Sequence, residues 1–177
     1  MKPITLKDMV SVLQKPGHEI HDSITGAKCN LMHHAIGVAG EMLELQFALE
    51  NNDKANLMEE AGDLAFFTEG LVIAVNLDLS VEDIINDRPS ARGYKSLHHA
   101  ADALVDMVKK HVMYGKGLDS VAVCVTAEAL CFWLSYLLEF HGLSLKEAIA
   151  ANKQKLSKRY EGFTYSDEAA LTRKDKA

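Results

Sequence analysis

Proline is scarce in this chain, with three residues at Pro3, Pro16 and Pro89, and aromatic residues make up only 7% of it. Long stretches therefore run without an obligatory helix breaker, and no alternating β-branched or aromatic runs mark strands. Ala, Leu, Val and Met recur instead at helical spacing, so the fold class expected is all-α. Cysteine is equally sparse. Cys29, Cys124 and Cys131 form no CxxC pair and leave one over in any disulfide scheme, which points to reduced thiols and a cytoplasmic setting. The first five residues contain no signal-peptide apolar region and no run reaches transmembrane length, so no membrane partner is expected.

Basic residues are the most unevenly distributed shortage. Residues 1–88 hold 6 bases against 15 acids, whereas residues 89–177 hold 13 bases against 10 acids. The net charge of −6 argues against general nucleic-acid binding. One half is suited to holding cations and the other to meeting anions. At 177 residues and 48% hydrophobic content, the chain is long enough to bury a core within one domain spanning 1–177.

The periodicity predicts helices near 5–14, 27–51 and 55–76, then a brief one opening at Ser80 with the capping box Ser80-Val81-Glu82-Asp83. After a break at Asp87-Arg88-Pro89-Ser90, helices follow near 95–114, 119–141 and 145–160, the last opened by Ser144-Leu145-Lys146-Glu147. Residues 161–177 read as a polar tail. The second half echoes the first: Leu31-Met32-His33-His34-Ala35 matches Ser96-Leu97-His98-His99-Ala100 at a shift of 65, which also pairs Glu41 with Asp106 and Asp63 with Glu128. An internal repeat of helical hairpins, 27–88 and 93–160, is the organisation expected, giving a four-helix-bundle-like core. The acidic set is broken in the second copy, where Lys109 stands opposite Glu44 and Val125 opposite Glu60.

What is present is a concentration of acid. Residues 41–69 hold eight carboxylates and a single base, Lys54. Gly40-Glu41-Met42-Leu43-Glu44 and Glu59-Glu60-Ala61-Gly62-Asp63 each space two acids three residues apart, on one helix face, where like charges oppose helix stability. On antiparallel neighbours, Glu41, Glu44, Glu60 and Asp63 converge, and apolar neighbours set them beside the core. Clustered carboxylates need protons or a cation, and an all-oxygen set suits Mg²⁺, or Mn²⁺, better than zinc or copper. Magnesium held this way leaves positions for phosphate oxygens, and the lysines and Arg159 of the second half can face the charge of a leaving diphosphate. The residues thus point to metal-dependent hydrolysis of a nucleoside polyphosphate.

The run from His34 to Glu44, followed by Leu57-Met58-Glu59-Glu60-Ala61-Gly62-Asp63, resembles the MazG-like branch of the all-α nucleoside triphosphate pyrophosphohydrolases. Their signature is ExxE, a spacer, then ExxD; here 15 residues separate Glu44 from Glu60. Asn152-Lys153-Gln154-Lys155-Leu156 and Arg159-Tyr160 resemble the closing part of that domain, so the likeness covers residues 31–165. It implies cleavage of a (deoxy)nucleoside triphosphate to monophosphate and pyrophosphate, a homodimer, and nucleotide-pool housekeeping. It also implies Glu41, Glu44, Glu60 and Asp63 as metal ligands and catalytic residues, with one of them or Glu59 deprotonating the attacking water. Lys155, Arg159 and Tyr160 are then candidates for phosphate contact, and Lys109 joins them as a substrate-binding candidate from the second copy. The chain departs from the pattern in its duplication and in the loss of one acidic set.

Two other functions compete: a non-catalytic family member that binds nucleotide or a partner, and a di-iron carboxylate bundle. The latter wants Glu-x-x-His pairs, which neither Glu41 nor Glu60 provides. The paired histidines are expected to pack or cap, because adjacent helical residues point about 100° apart. Phe66, Phe67 and Trp133 are expected in the core, and Arg173 and Lys174 in solvent.

Overall fold

The computed structural model describes residues 5–76, 78–173 and 175. They form α1 Leu6–Leu13, α2 Gly17–Ser23, α3 Gly26–Glu50, α4 Lys54–Val75, α5 Val81–Asn86, α6 Leu97–Tyr114, α7 Ser120–Phe140, α8 Leu145–Arg159 and α9 Asp167–Thr172, with a 3-10 turn at Glu161–Phe163. Among the described residues there is no strand, and the protein is all-α. Residues 1–4, read above for a leader, and Lys174 lie outside the described residues.

Local chemistry sets most boundaries. Asp53 accepts from the Asn56 amide at 3.1 Å and starts α4, while Asn52, at φ 52, makes the tight turn after α3. Ser80 and Asp83 form the expected capping box at α5. The box expected at Ser144 does not form; Ser144 makes no side-chain cap bond and α8 starts on backbone hydrogen bonds alone. Two helices go beyond expectation. Pro16 supplies a helical φ of −58 at the cap of α2, and Ser166 caps α9, whose first turn carries Asp167 and Glu168.

Helices α3 and α4 form one hairpin and α6 and α7 another; α3 packs on α6 and α4 on α7, making a four-helix core. Helix α8 lies on α4, and α5 lies mainly on α7. Leu45, Leu57, Leu64, Leu71, Leu104, Leu130, Leu134 and Leu138 are fully buried at the centre, each contributing roughly 1.5–3 kcal/mol of hydrophobic stabilisation. One sequence expectation needs correction. Helix α7, 21 residues long, is long and apolar enough to cross a membrane by length and composition. Here it is a core helix, burying Val123, Ala127, Leu130, Leu134 and Leu138 against its neighbours.

Gly62 decides how closely α8 approaches. A Cβ there would lie 2.7 Å from the Ala148 carbonyl oxygen and 2.8 Å from Asn152 Cβ, so only glycine lets the two backbones meet. Gly37 similarly accepts the Phe67 ring and Gly70 the His34 ring. Gly40, by contrast, has open space around it.

Candidate active site

On α3, Val38, Met42 and Leu45 form the buried stripe. Glu41 lies beside it and is half-buried, whereas Glu44 is exposed. On α4, Leu57, Ala61 and Leu64 face the core, and Glu60 is carried in with them to 5% exposure. The hairpin brings Glu41, Glu60 and Asp63 together, with one carboxylate oxygen from each within 4.8 Å of the others. Glu44 stands outside this close set, at the mouth. The remaining acids of residues 41–69 have local work: Asp53 caps α4, Glu50 accepts from Gln46 and Glu69 accepts from the Val81 amide at the start of α5.

The electrostatics follow from this crowding. Burial, then the charge of Asp63, push the Glu41 carboxyl up to about 8, with further contributions from a hydrogen bond to Glu60 and the charges of Glu60 and Glu44. Burial likewise raises Glu60, against the lowering effect of its bond with Glu41. Without a cation, the pair therefore shares a proton near neutral pH. Asp63 is supported from α8, where Asn152 Nδ2 donates to Oδ1 and Lys155 Nζ donates to Oδ2. Lys155 Nζ also lies 3.4 Å from Glu59 Oε1.

The acids line a cleft of 620 Å³. Glu41, Glu44, Glu59, Glu60 and Asp63 form one wall, with His33, Phe66 and Phe67 beside them. Arg159, Tyr160, Phe163, Tyr165 and Arg173, from the end of α8 and the segment after it, line the cleft as well. Phe67 is partly buried against the core and also lines the cleft, whereas Phe66, 44% exposed, lines the cleft without joining the core, contrary to expectation. Trp133 packs against the core as expected, its ring N–H donating to the Tyr94 carbonyl at 3.0 Å. One histidine of each pair packs or caps: His34 sits against Gly70, with its Nδ1 buried and unbonded, and His99 Nδ1 accepts from the Lys95 amide, whereas His33 and His98 are exposed.

Three basic candidates are placed differently from expectation. Lys109 is exposed on α6, which packs on α3 and α7, and it is not among the residues lining the cleft. Lys155 sits behind Asp63 as its counter-charge rather than on the cleft wall. Arg159 lines the cleft, but its Nε and Nη2 donate to the two oxygens of Asp175 at 2.6 and 2.8 Å. Sequence reasoning missed Asn152, His33 and the cleft-lining residues of the tail. Two aromatic residues in an otherwise polar tail were the available signal for the last group. Comparisons with family models, curated proteins and solved structures returned no significant match.

A pH dependence follows from the acid cluster. Because the Glu41 pKa rises from 4.5 to about 8 on folding, the folded chain holds a proton that the unfolded chain releases. That stability is fully present below about pH 4.5 and is lost as pH rises through about 8. His34, held below its usual value mainly by burial, acts in the opposite sense, so the informative quantity is the response to a cation. The Tm gain on adding Mg²⁺ should grow between pH 5 and 8.5 and reach on the order of 5 °C for a chain of this length, after discounting for solvent screening. A pH-independent gain, or none, measured by calorimetry with and without EDTA, would contradict a shared carboxylate pocket.

Proposed function

We propose that this chain is a Mg²⁺-dependent nucleoside triphosphate pyrophosphohydrolase that converts a (deoxy)nucleoside triphosphate and water to the monophosphate and pyrophosphate. The observation that supports it most is the convergence of Glu41, Glu60 and Asp63 from two helices into one cleft. The donor set fits the ion: it is all oxygen, partly buried and short of positive charge. Glu41, Glu60 and Asp63 would hold it, with Glu44 at the mouth. A bound Mg²⁺ (or Mn²⁺) neutralises the triphosphate and makes its phosphorus more electrophilic.

The chain's own residues do the remaining work. Glu41 must release its proton for the site to load, which favours activity above neutral pH. Lys155 and Asn152 fix the Asp63 carboxylate from behind and orient it. Glu59, on the same wall, is a candidate to take the proton from water as the new oxygen–phosphorus bond forms and pyrophosphate leaves. Arg173, which lines the same cleft, is the cation placed to meet the substrate's charge, since Arg159 is engaged by Asp175. The crosswise packing of α8 on α4 and of α5 on α7 is compatible with reading the chain as two diverged copies, the second having lost its ligands. A homodimer belongs to the same proposal; Ile36, Leu43 and Phe47, each at least 64% exposed, give α3 an apolar outer face for a second copy.

The test is a screen of common nucleoside triphosphates with separate detection of pyrophosphate and orthophosphate. Pyrophosphate should be released from at least one of them and EDTA should stop it. Orthophosphate alone would refute the cleavage position. A second reading, a non-catalytic nucleotide binder, draws on the fact that Asp63 and Arg159 already have charged partners. Tight nucleotide binding without turnover in the presence of Mg²⁺ would select it. The di-iron reading gains nothing, since the convergent set contains three carboxylates and no histidine.

A further inference from the structure

The chain beyond α8 is folded over the cleft. Phe163 and Tyr165 are 76% and 69% exposed and belong to no part of the hydrophobic core, yet both line the acidic cleft with Ala170 and Arg173. Their placement is built. The chain reverses at Gly162 and Phe163, with φ of 66 and 54, a left-handed conformation that is uncommon for a bulky residue. The Tyr165 ring lies 5.7 Å from the Tyr160 ring at an interplanar angle of 33°, and its hydroxyl donates to Asp167 at 2.8 Å. The ends of the segment are tied together by the bidentate Arg159–Asp175 pair, whose side chains are 14% and 1% exposed. Buried, two-pronged pairs of this kind fix geometry. An exposed aromatic pair held at a cleft by such a clasp is a surface for a flat ligand.

We propose that residues 160–173 are the base-holding wall of the cleft: Phe163 and Tyr165 stack on the nucleobase, and the Arg159–Asp175 pair anchors the wall instead of binding phosphate. The proposal rests on the pyrophosphohydrolase reading. It assigns the metal and phosphates to the acidic wall, leaves Arg173 as the arginine turned toward the phosphates, and predicts tolerance of both purines and pyrimidines, because every base offers a π-face to an aromatic ring.

The experiment measures binding of the four α,β-imido deoxynucleoside triphosphates, and of inorganic tripolyphosphate, to the full chain in Mg²⁺ by calorimetry. Replacing Phe163 and Tyr165 together by Ala should weaken all four nucleotides roughly tenfold or more and leave tripolyphosphate binding unchanged. Asp175→Asn should weaken the nucleotides as well and speed amide exchange across 161–173. Native nucleotide affinity in the double variant, or tighter binding in Asp175→Asn, overturns the proposal while the metal-dependent reading stands. If the native chain binds tripolyphosphate but no nucleotide, the wall is refuted on its own. If it binds neither, the functional reading fails and the wall with it.

Discussion

Glu41→Gln is expected to lower Mg²⁺-dependent pyrophosphate release by roughly 10²–10³-fold, the scale on which a preorganised charged group acts in a closed site, while making the metal-free protein more stable at pH 8. The two effects have one cause. Glu41 is held among Glu44, Glu60 and Asp63 with its carboxyl pushed up to about 8 by burial and by their charge. Glutamine reproduces the protonated acid in shape and in its ability to donate to Glu60. The variant therefore keeps the hydrogen bond of the metal-free state and loses the repulsion that appears when the acid ionises. It also loses the ligand charge that a divalent ion requires. Calorimetry in EDTA should give the variant a higher Tm than the native chain at pH 8, by a few degrees for roughly 1 kcal/mol at this length. The difference should be nearly absent at pH 5, where Glu41 is protonated anyway. Adding Mg²⁺ should raise the native Tm and barely move that of the variant. An active Glu41→Gln enzyme, or a variant less stable than native at pH 8, would show that this carboxylate is neither buried against its neighbours nor needed for the ion.

The acid cluster was legible because it depends on local spacing. Two carboxylates three residues apart share a helix face, and the short Asn51-Asn52-Asp53 turn returns α4 antiparallel to α3. Spacing does not settle which of the four enters the pocket. Three residues turn a helix by about 300° and rise about 4.5 Å, so Glu41 lies beside the stripe of Val38, Met42 and Leu45 while Glu44 swings out to solvent. The bases were legible only as a sum. A surplus of positive charge in the second half carries no geometry, and the partners of Lys155 and Arg159 lie on α4 and beyond α9. Lys109 was inferred from its place opposite Glu44, and α6 keeps it away from the cleft. Helix α7 shows the same limit: composition alone does not distinguish a core helix from a membrane span. The tail was misjudged because its polar average concealed Phe163 and Tyr165, whose role depends on a reversal at Gly162 and a clasp closed 16 residues away from Arg159.

Gly62→Ala should be a damaging single-methyl change near the site. Alanine is ordinarily the better helix residue by about 1 kcal/mol, and on an open face it would stabilise α4. Here the added carbon meets the Ala148 carbonyl oxygen at 2.7 Å and Asn152 Cβ at 2.8 Å. A backbone oxygen cannot rotate aside, so α8 must move away from α4, at a cost of roughly 1–3 kcal/mol for an overpacked contact. After the gain in propensity, a Tm lower by about 2–6 °C is expected. The movement also separates Asn152 and Lys155 from Asp63, the residue next in sequence to Gly62. Misplacement by about 1 Å can cost on the order of 10²-fold in rate, so activity should fall much further than stability, with weaker Mg²⁺ binding alongside. Gly40→Ala is the matching change on α3. With nothing within 4 Å of its Cβ, it should raise Tm by a few degrees. Thermal melts of both variants beside native protein decide the matter: if Gly62→Ala is as stable and as active as native, α8 is not seated on α4 at this glycine, and the support it gives Asp63 is lost with it.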